Sequence, residues 1–224
     1  GVEASLSFTI MESVRKGKGL KPEWEEAMIE NNVPDWYIWS CKKIKYMFPK
    51  AHAAAYVMMA WRIAYCKIYY PLAYYSAFFS IRASGFDYEL MCRGKDILEY
   101  NIKDYRARQD SLTNKEQDSL RDMRICQEMY ARGYEFMPID IYRAKANEFQ
   151  IIDGKIMPPF NSIDGMGASA AEAFVEAAAQ GKFLSLEDMR TRSKAPQKVI
   201  DKLVEWGVVS GLPATNQLSL FDFC

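Results

Sequence analysis

Acidic residues are missing between Trp36 and Phe86, although the 224-residue chain balances 29 Lys and Arg against 29 Asp and Glu. Histidine is almost absent, with His52 the only one, and the five cysteines (Cys41, Cys66, Cys92, Cys126, Cys224) are widely spaced without a Cys-x-x-Cys pair. The usual zinc-ligand spacings and a fully paired disulfide framework are thereby excluded, so reduced thiols and no metal site in this chain are expected. No run of about 18 to 20 uncharged, helix-compatible residues exists. Arg62 and Lys67 interrupt the apolar stretch from Ala51 to Ile81, and Pro71 ends its helical part. Gly1 opens no signal-peptide pattern, and repeats and low-complexity segments are lacking. A soluble, cytoplasmic protein without membrane contact is the expectation.

What fills the acid-free stretch is seven basic residues: Lys42, Lys43, Lys45, Lys50, Arg62, Lys67 and Arg82. Such segregation creates a positive field suited to a polyanion. Inside it, Pro49 predicts a helix start and Pro71 its end. On that helix His52, Tyr56, Met59 and Ile63 form one stripe, beside alanines that leave the backbone open to close approach. A base pair or a triphosphate fits such a face. A buried packing helix with His52 in the core is the plainer alternative, and it gives no reason to exclude carboxylates over so long a stretch.

Half of the residues are hydrophobic, enough for one large or two small cores. Helices are predicted over Leu6–Arg15, Pro22–Asn31, Trp36–Tyr46, from Pro49 to Pro71, and after Leu112. The last opens on a Thr113-x-x-Glu116 capping box with apolar spacing at Leu120, Met123, Ile125 and Met129. After Gly133 the texture changes to short strand-like runs, Tyr134–Ile141 and Phe149–Met157, the second broken by an Asp153-Gly154 hairpin turn. A domain boundary near residue 134 is expected, between a mainly helical part and a small α+β part.

Phe160 to Ala171 carries the most specific pattern of the second half. Gly165 and Gly167 flank Met166, with Ile163 three residues before Met166 and Ala171 four after Gly167, which is the spacing of a helix-hairpin-helix. Its glycines let backbone N–H groups approach a phosphate at a helix N-terminus, a contact that reads backbone and not bases. A second, degenerate hairpin is expected from a helix Leu186–Arg190, a turn over Thr191–Lys194 and a helix Pro196–Trp206 carrying Lys198 and Lys202. An ordinary helix cap with solvated lysines would leave the full spacing unexplained.

Beyond a linker-like stretch from Gly211 to Asn216, the chain closes on Gln217-Leu218-Ser219-Leu220-Phe221. One glutamine for hydrogen bonds and two apolar anchors, Leu220 and Phe221, suit a pocket on a partner. A frayed amphipathic terminus is the alternative.

Taken in order, Met47 to Tyr56, the Gly165-Met166-Gly167 hairpin and the terminal Gln-Leu-Ser-Leu-Phe resemble the C-terminal part of the bacterial family C replicative DNA polymerases, the PolC-type DNA polymerase III alpha subunits. The resemblance covers essentially the whole chain. It implies that residues 1–133 are fingers, with Lys50, His52 and Tyr56 facing the deoxynucleoside triphosphate. Residues 134–212 would bind primer-template duplex through Gly165, Met166, Gly167, Lys194 and Lys198. Residues 213–224 would hold the sliding-clamp motif, Gln217 to Phe221. Palm carboxylates hold the two metal ions of such enzymes, and this sequence has no Asp-x-Asp. Asp87-Tyr88-Glu89 is the nearest approach and reads as a cap or a solvated loop. The resemblance therefore implies an inactive fragment without catalytic residues, which works with the remaining polymerase domains and with Mg2+ in the intact enzyme. A stand-alone adaptor that binds duplex DNA and a clamp without chemistry is the alternative. A DNA-repair helix-hairpin-helix protein fits less well, since it leaves the alanine-histidine helix unexplained.

Overall fold

Local signals account for most of the helices. The computed structural model describes residues 1–216 and is mostly helical, with eleven α-helices and one two-stranded sheet among those residues. It divides into two compact units, Gly1–Ala64 and Tyr65–Cys224.

In the first unit, α1 (Ala4–Arg15) begins where the Glu3 carboxylate accepts from the backbone N–H groups of Ser5 and Leu6. Proline at the first helical position starts α2 (Pro22–Glu30) because its fixed φ suits the turn and its missing N–H is not needed there. α3 (Asp35–Lys43) ends before the expected Tyr46. One apolar stripe from each helix meets in a small core of Ile10, Val14, Met28, Ile38 and Cys41. Each such side chain supplies about 1.5 to 3 kcal/mol on full burial.

The division between the units falls within α4 (Lys50–Tyr69). This helix starts and stops where the prolines predicted, yet it has no buried residue. Tyr56, Met59 and Ile63 are all at least half exposed, and His52 is exposed as well. Among the described residues, α4 is therefore not a packing helix.

In the second unit, α5 (Pro71–Ile81), α6 (Tyr88–Met91), α7 (Lys95–Ala107) and α8 (Asn114–Ala131) surround an aromatic core. α8 begins on the expected capping box: Thr113 Oγ1 accepts from Glu116 N–H at 3.3 Å, and the Glu116 carboxylate accepts from Thr113 N–H at 2.9 Å. One stripe of α8, Ser119, Asp122, Met123, Cys126 and Met129, is buried, the spacing of an inward helix face. Phe136, Phe149 and Ile156 complete that core beside Tyr75 and Phe79. The compact division accordingly lies between Ala64 and Tyr65, away from the change of texture at residue 134.

The expected hairpin forms from β1 (Gln150–Ile152) and β2 (Lys155–Met157), antiparallel with Ile151 opposite Ile156. Asp153 and Gly154 turn it with φ of 50° and 76°, the positive pair of a type I′ turn. Tyr134–Ile141 is not a strand. Only Phe136 bridges Ile156, because Pro138 has no N–H to continue a ladder and Asp140 folds the next residues into a turn.

The rest of the chain, α9 (Ala168–Ala179), α10 (Leu186–Ser193) and α11 (Gln197–Glu205), builds a second core around Phe160, Phe174, Met189, Ile200 and Leu203. Contrary to expectation, Arg192 lies inside α10 and not in a turn. Its guanidinium donates to the carbonyls of Ala177, Gly181 and Lys182, tying α10 to the last turn of α9, where carbonyls lack helical partners. No helix of the described residues is long and apolar enough to cross a membrane.

Candidate nucleic-acid interface

A single 3-10 turn, Phe160–Ser162, leads into the first hairpin and takes the place of a full first helix. Ile163 N–H donates to Phe160 O at 3.1 Å and Met166 N–H to Ile163 O at 2.9 Å. Both side chains are buried, at 1% and 4% exposure, so they anchor the loop from below. Met166 thus serves the expected hairpin as an anchor, and its side chain is withheld from solvent.

Gly165 and Gly167 stand on either side of that anchor and are exposed. Gly165 has φ of 91°, a conformation that a side chain would strain. Gly167 is the N-cap residue of α9 at φ −70°, and no side chain caps the helix. A Cβ added at Gly167 would meet nothing within 4 Å. The opening of α9 therefore presents backbone with a bare approach, the arrangement that favours an anion at a helix N-terminus.

The second hairpin is displaced from its predicted position. α10 runs on to Ser193, and the turn is Lys194-Ala195-Pro196, with Lys194 left-handed at φ 54°. Ser193 Oγ accepts from Ala195 N–H at 3.2 Å and donates to Met189 O, which fixes the turn from within. Lys194 is exposed.

Lys198, on α11, reaches back to the first hairpin: its Nζ lies 3.1 Å from Asp164 Oδ2. The structure thus brings Lys198 together with Gly165, Met166 and Gly167. Lys202 is nearly buried and donates to Glu89 at 2.8 Å. Asp164 and Lys115, whose groups lie 3.7 Å apart, complete the cluster; the sequence reading did not single out either one. The neighbouring lysines, Lys198 foremost through its hydrogen bond, hold the Asp164 carboxyl below the usual range. A cleft of about 560 Å³ opens beside the hairpin, walled by Ser84–Asp87 and the start of α8.

Asp87 accepts Leu90 N–H at 3.1 Å as the cap of α6, and burial pushes its carboxyl up. Tyr88 is buried, and Glu89 is the partner of Lys202. This tripeptide has the capping role expected of it.

Of the residues expected to face a nucleotide, His52 and Tyr56 form part of one aromatic row. Tyr46 and Phe48 are 4.6 Å apart between ring centroids, Phe48 and His52 4.7 Å, His52 and Tyr56 4.5 Å. Lys50 lies in the first turn of α4 outside that row, exposed, and among the described residues it pairs with no carboxylate. The acid-free run is not wholly free of acid in space: Lys42 pairs with Glu25 and Lys67 with Glu128. The terminal Gln217, Leu218, Ser219, Leu220 and Phe221 lie outside the described residues. Just before them, Pro213 and Ala214 accept backbone hydrogen bonds from Leu186 and Glu187.

Comparison with known proteins assigns the class first. The helix-hairpin-helix motif family matches residues 133–218, which include both hairpins. Over 99% of its length the chain is 51% identical to the DNA polymerase III PolC-type of Bacillus subtilis and 50% identical to that of Listeria monocytogenes. It is 49% identical over 96% of its length to the one of Clostridium perfringens. The chain matches a segment of the PolC-type DNA polymerase III sequences and spans 15% of the length of these relatives.

Proposed function

We propose that this segment serves a replicative DNA-directed DNA polymerase by binding the incoming nucleotide, the primer-template duplex and the sliding clamp. The observation that carries the proposal is the exposure of Gly165 and Gly167 at the uncapped start of α9, in a chain about half identical to PolC-type polymerases. Phosphate contacts of this kind position a duplex without reading its sequence.

In this reading residues 1–133 act as fingers. The Lys50 ammonium neutralises triphosphate charge, and the row formed by His52 and Tyr56 offers stacking faces to a base. Residues 134–212 grip the duplex backbone, with Gly165 and Gly167 supplying close approach and Lys194 and Lys198 supplying charge. Residues 213–224 engage the clamp through Gln217 to Phe221. The intact enzyme would direct a primer 3′-hydroxyl at the α-phosphate of a deoxynucleoside triphosphate, with Mg2+ held by carboxylates from outside this segment. The segment's own share is positioning and electrostatic clamping.

Fluorescence anisotropy of the 224-residue chain with two duplexes of unrelated sequence tests the duplex-binding part. Equal affinities that fall steeply with salt are expected. Binding that depends on sequence, or no binding at low salt, would remove it.

A further inference from the structure

The residue preceding Gly165 is an acid, at the place where an anion is expected to bind. Asp164 Oδ2 lies 3.1 Å from Lys198 Nζ and 3.7 Å from Lys202 Nζ, and its Oδ1 lies 3.7 Å from Lys115 Nζ. Lys202 is fixed in place by Glu89 at 2.8 Å and by the Asp164 carbonyl at 3.5 Å. The side chains of Lys198 and Lys115 are 68% and 80% exposed, so their ammonium groups are free to change partner. Exposed ion pairs contribute little to stability. Exchanging a carboxylate for a phosphate oxygen therefore costs Lys198 little.

We propose that Asp164 is a specificity-determining residue that stands in for a DNA phosphate at the first hairpin. It holds Lys198 beside the hairpin amides and restrains duplex affinity until a phosphate displaces it. The inference rests on the helix-hairpin-helix reading above. A carboxylate and a phosphate diester compete for the same ammonium donors, and each repels the other. Asp164 thereby sets a threshold: a duplex seated well enough to bring its phosphate to the amides captures Lys198, and a passing polyanion does not.

Asp164→Asn keeps the shape and removes the charge. In the 224-residue chain it is expected to bind a short duplex roughly five- to tenfold more tightly, with log affinity falling more steeply against log salt by about one. Lys198→Ala should weaken wild-type binding, because a seated duplex captures Lys198, and should weaken the Asp164→Asn background more, cancelling its gain. Asp164→Glu, which retains the charge, should bind as wild type, and thermal melting should show all variants folded. If the wild-type chain fails to bind the duplex, the hairpin reading falls and this inference with it. If the wild type binds, and Asp164→Asn binds no more tightly with an unchanged slope, only the inference about Asp164 falls.

Discussion

Asp122 holds one carboxylate oxygen 2.8 Å from the backbone nitrogen of Gly85, while Ser119 donates its hydroxyl to the Gly85 carbonyl at 2.8 Å. The loop that walls the hairpin cleft is thus bonded flat against α8. A Cβ on Gly85 would fall 2.3 Å from Ser119 N and 2.4 Å from the Asp118 carbonyl carbon, both backbone atoms that a side-chain shift cannot move.

Gly85→Ala is accordingly expected to destabilise the chain by about 3 kcal/mol, the upper end of what overpacking costs. Asp122→Ala leaves the buried Gly85 N–H unpaired and should cost about 1 to 3 kcal/mol. Urea unfolding checks both, and a midpoint unchanged in either variant would contradict the close approach.

Acid should weaken the fold partly through the capping box. The Glu116 carboxyl is held down to about 2 against an ordinary 4.5, foremost by Thr113 N–H, then by the Thr113 hydroxyl and Arg108. Its contribution is present above pH 4.5 and is lost as pH falls toward 2. Burial raises Asp122 instead, so its contribution has the opposite sign: present below its ordinary value and lost as pH rises through its raised one. Melting temperatures of Glu116→Gln from pH 6 to pH 2 should fall less than those of the wild type. The loss should shrink without vanishing, because Glu12 is also held down to about 2. An identical acid limb in both proteins would rule out the Glu116 contribution.

The exposure of α4 separates function from stability at Lys50 and Tyr56. In the 224-residue chain, Lys50→Ala should change stability by less than about 0.5 kcal/mol. In a full-length PolC-type polymerase the same change should reduce kcat/KM for nucleotides by an amount on the order of 1 to 3 kcal/mol. Unchanged kinetics would remove the triphosphate contact.

For the tail, a peptide covering Asn216 to Cys224 should bind the purified sliding clamp, and the Leu220→Ala, Phe221→Ala double variant should not. Two buried apolar anchors supply roughly 1.5 to 3 kcal/mol each. Calorimetry that shows no heat, or equal heats for both peptides, would remove the clamp as a partner.

Punctuated or periodic features were legible in the sequence. Thr113 and Glu116 announced a helix start, Asp153-Gly154 a tight turn, and Gly165-Met166-Gly167 a hairpin, because each rests on contacts within a few residues. α5 was not legible: Pro71 to Ile81 is apolar on nearly every side, so no stripe marks it as a helix. Tyr134–Ile141 alternates like a strand, but Pro138 and Asp140 determine its path. Least legible were pairings between distant residues. Lys67 meets Glu128 across 61 positions and Lys198 meets Asp164 across 34, so an acid-free run in sequence did not remain one in space.

The hairpin itself offers the most direct test of the account. Gly167 has open space where a side chain would go and an ordinary φ of −70°, so Gly167→Leu should leave the chain folded while blocking a phosphate from the start of α9. Anisotropy titrations of wild type and Gly167→Leu against two unrelated duplexes, each across a range of salt, form the measurement. The account predicts about tenfold or greater weakening in the variant, since a hydrogen bond to a charged group contributes about 1.5 to 3 kcal/mol. The loss should be equal for both duplexes. Unchanged affinity in a folded Gly167→Leu chain, or a loss confined to one duplex sequence, would contradict it.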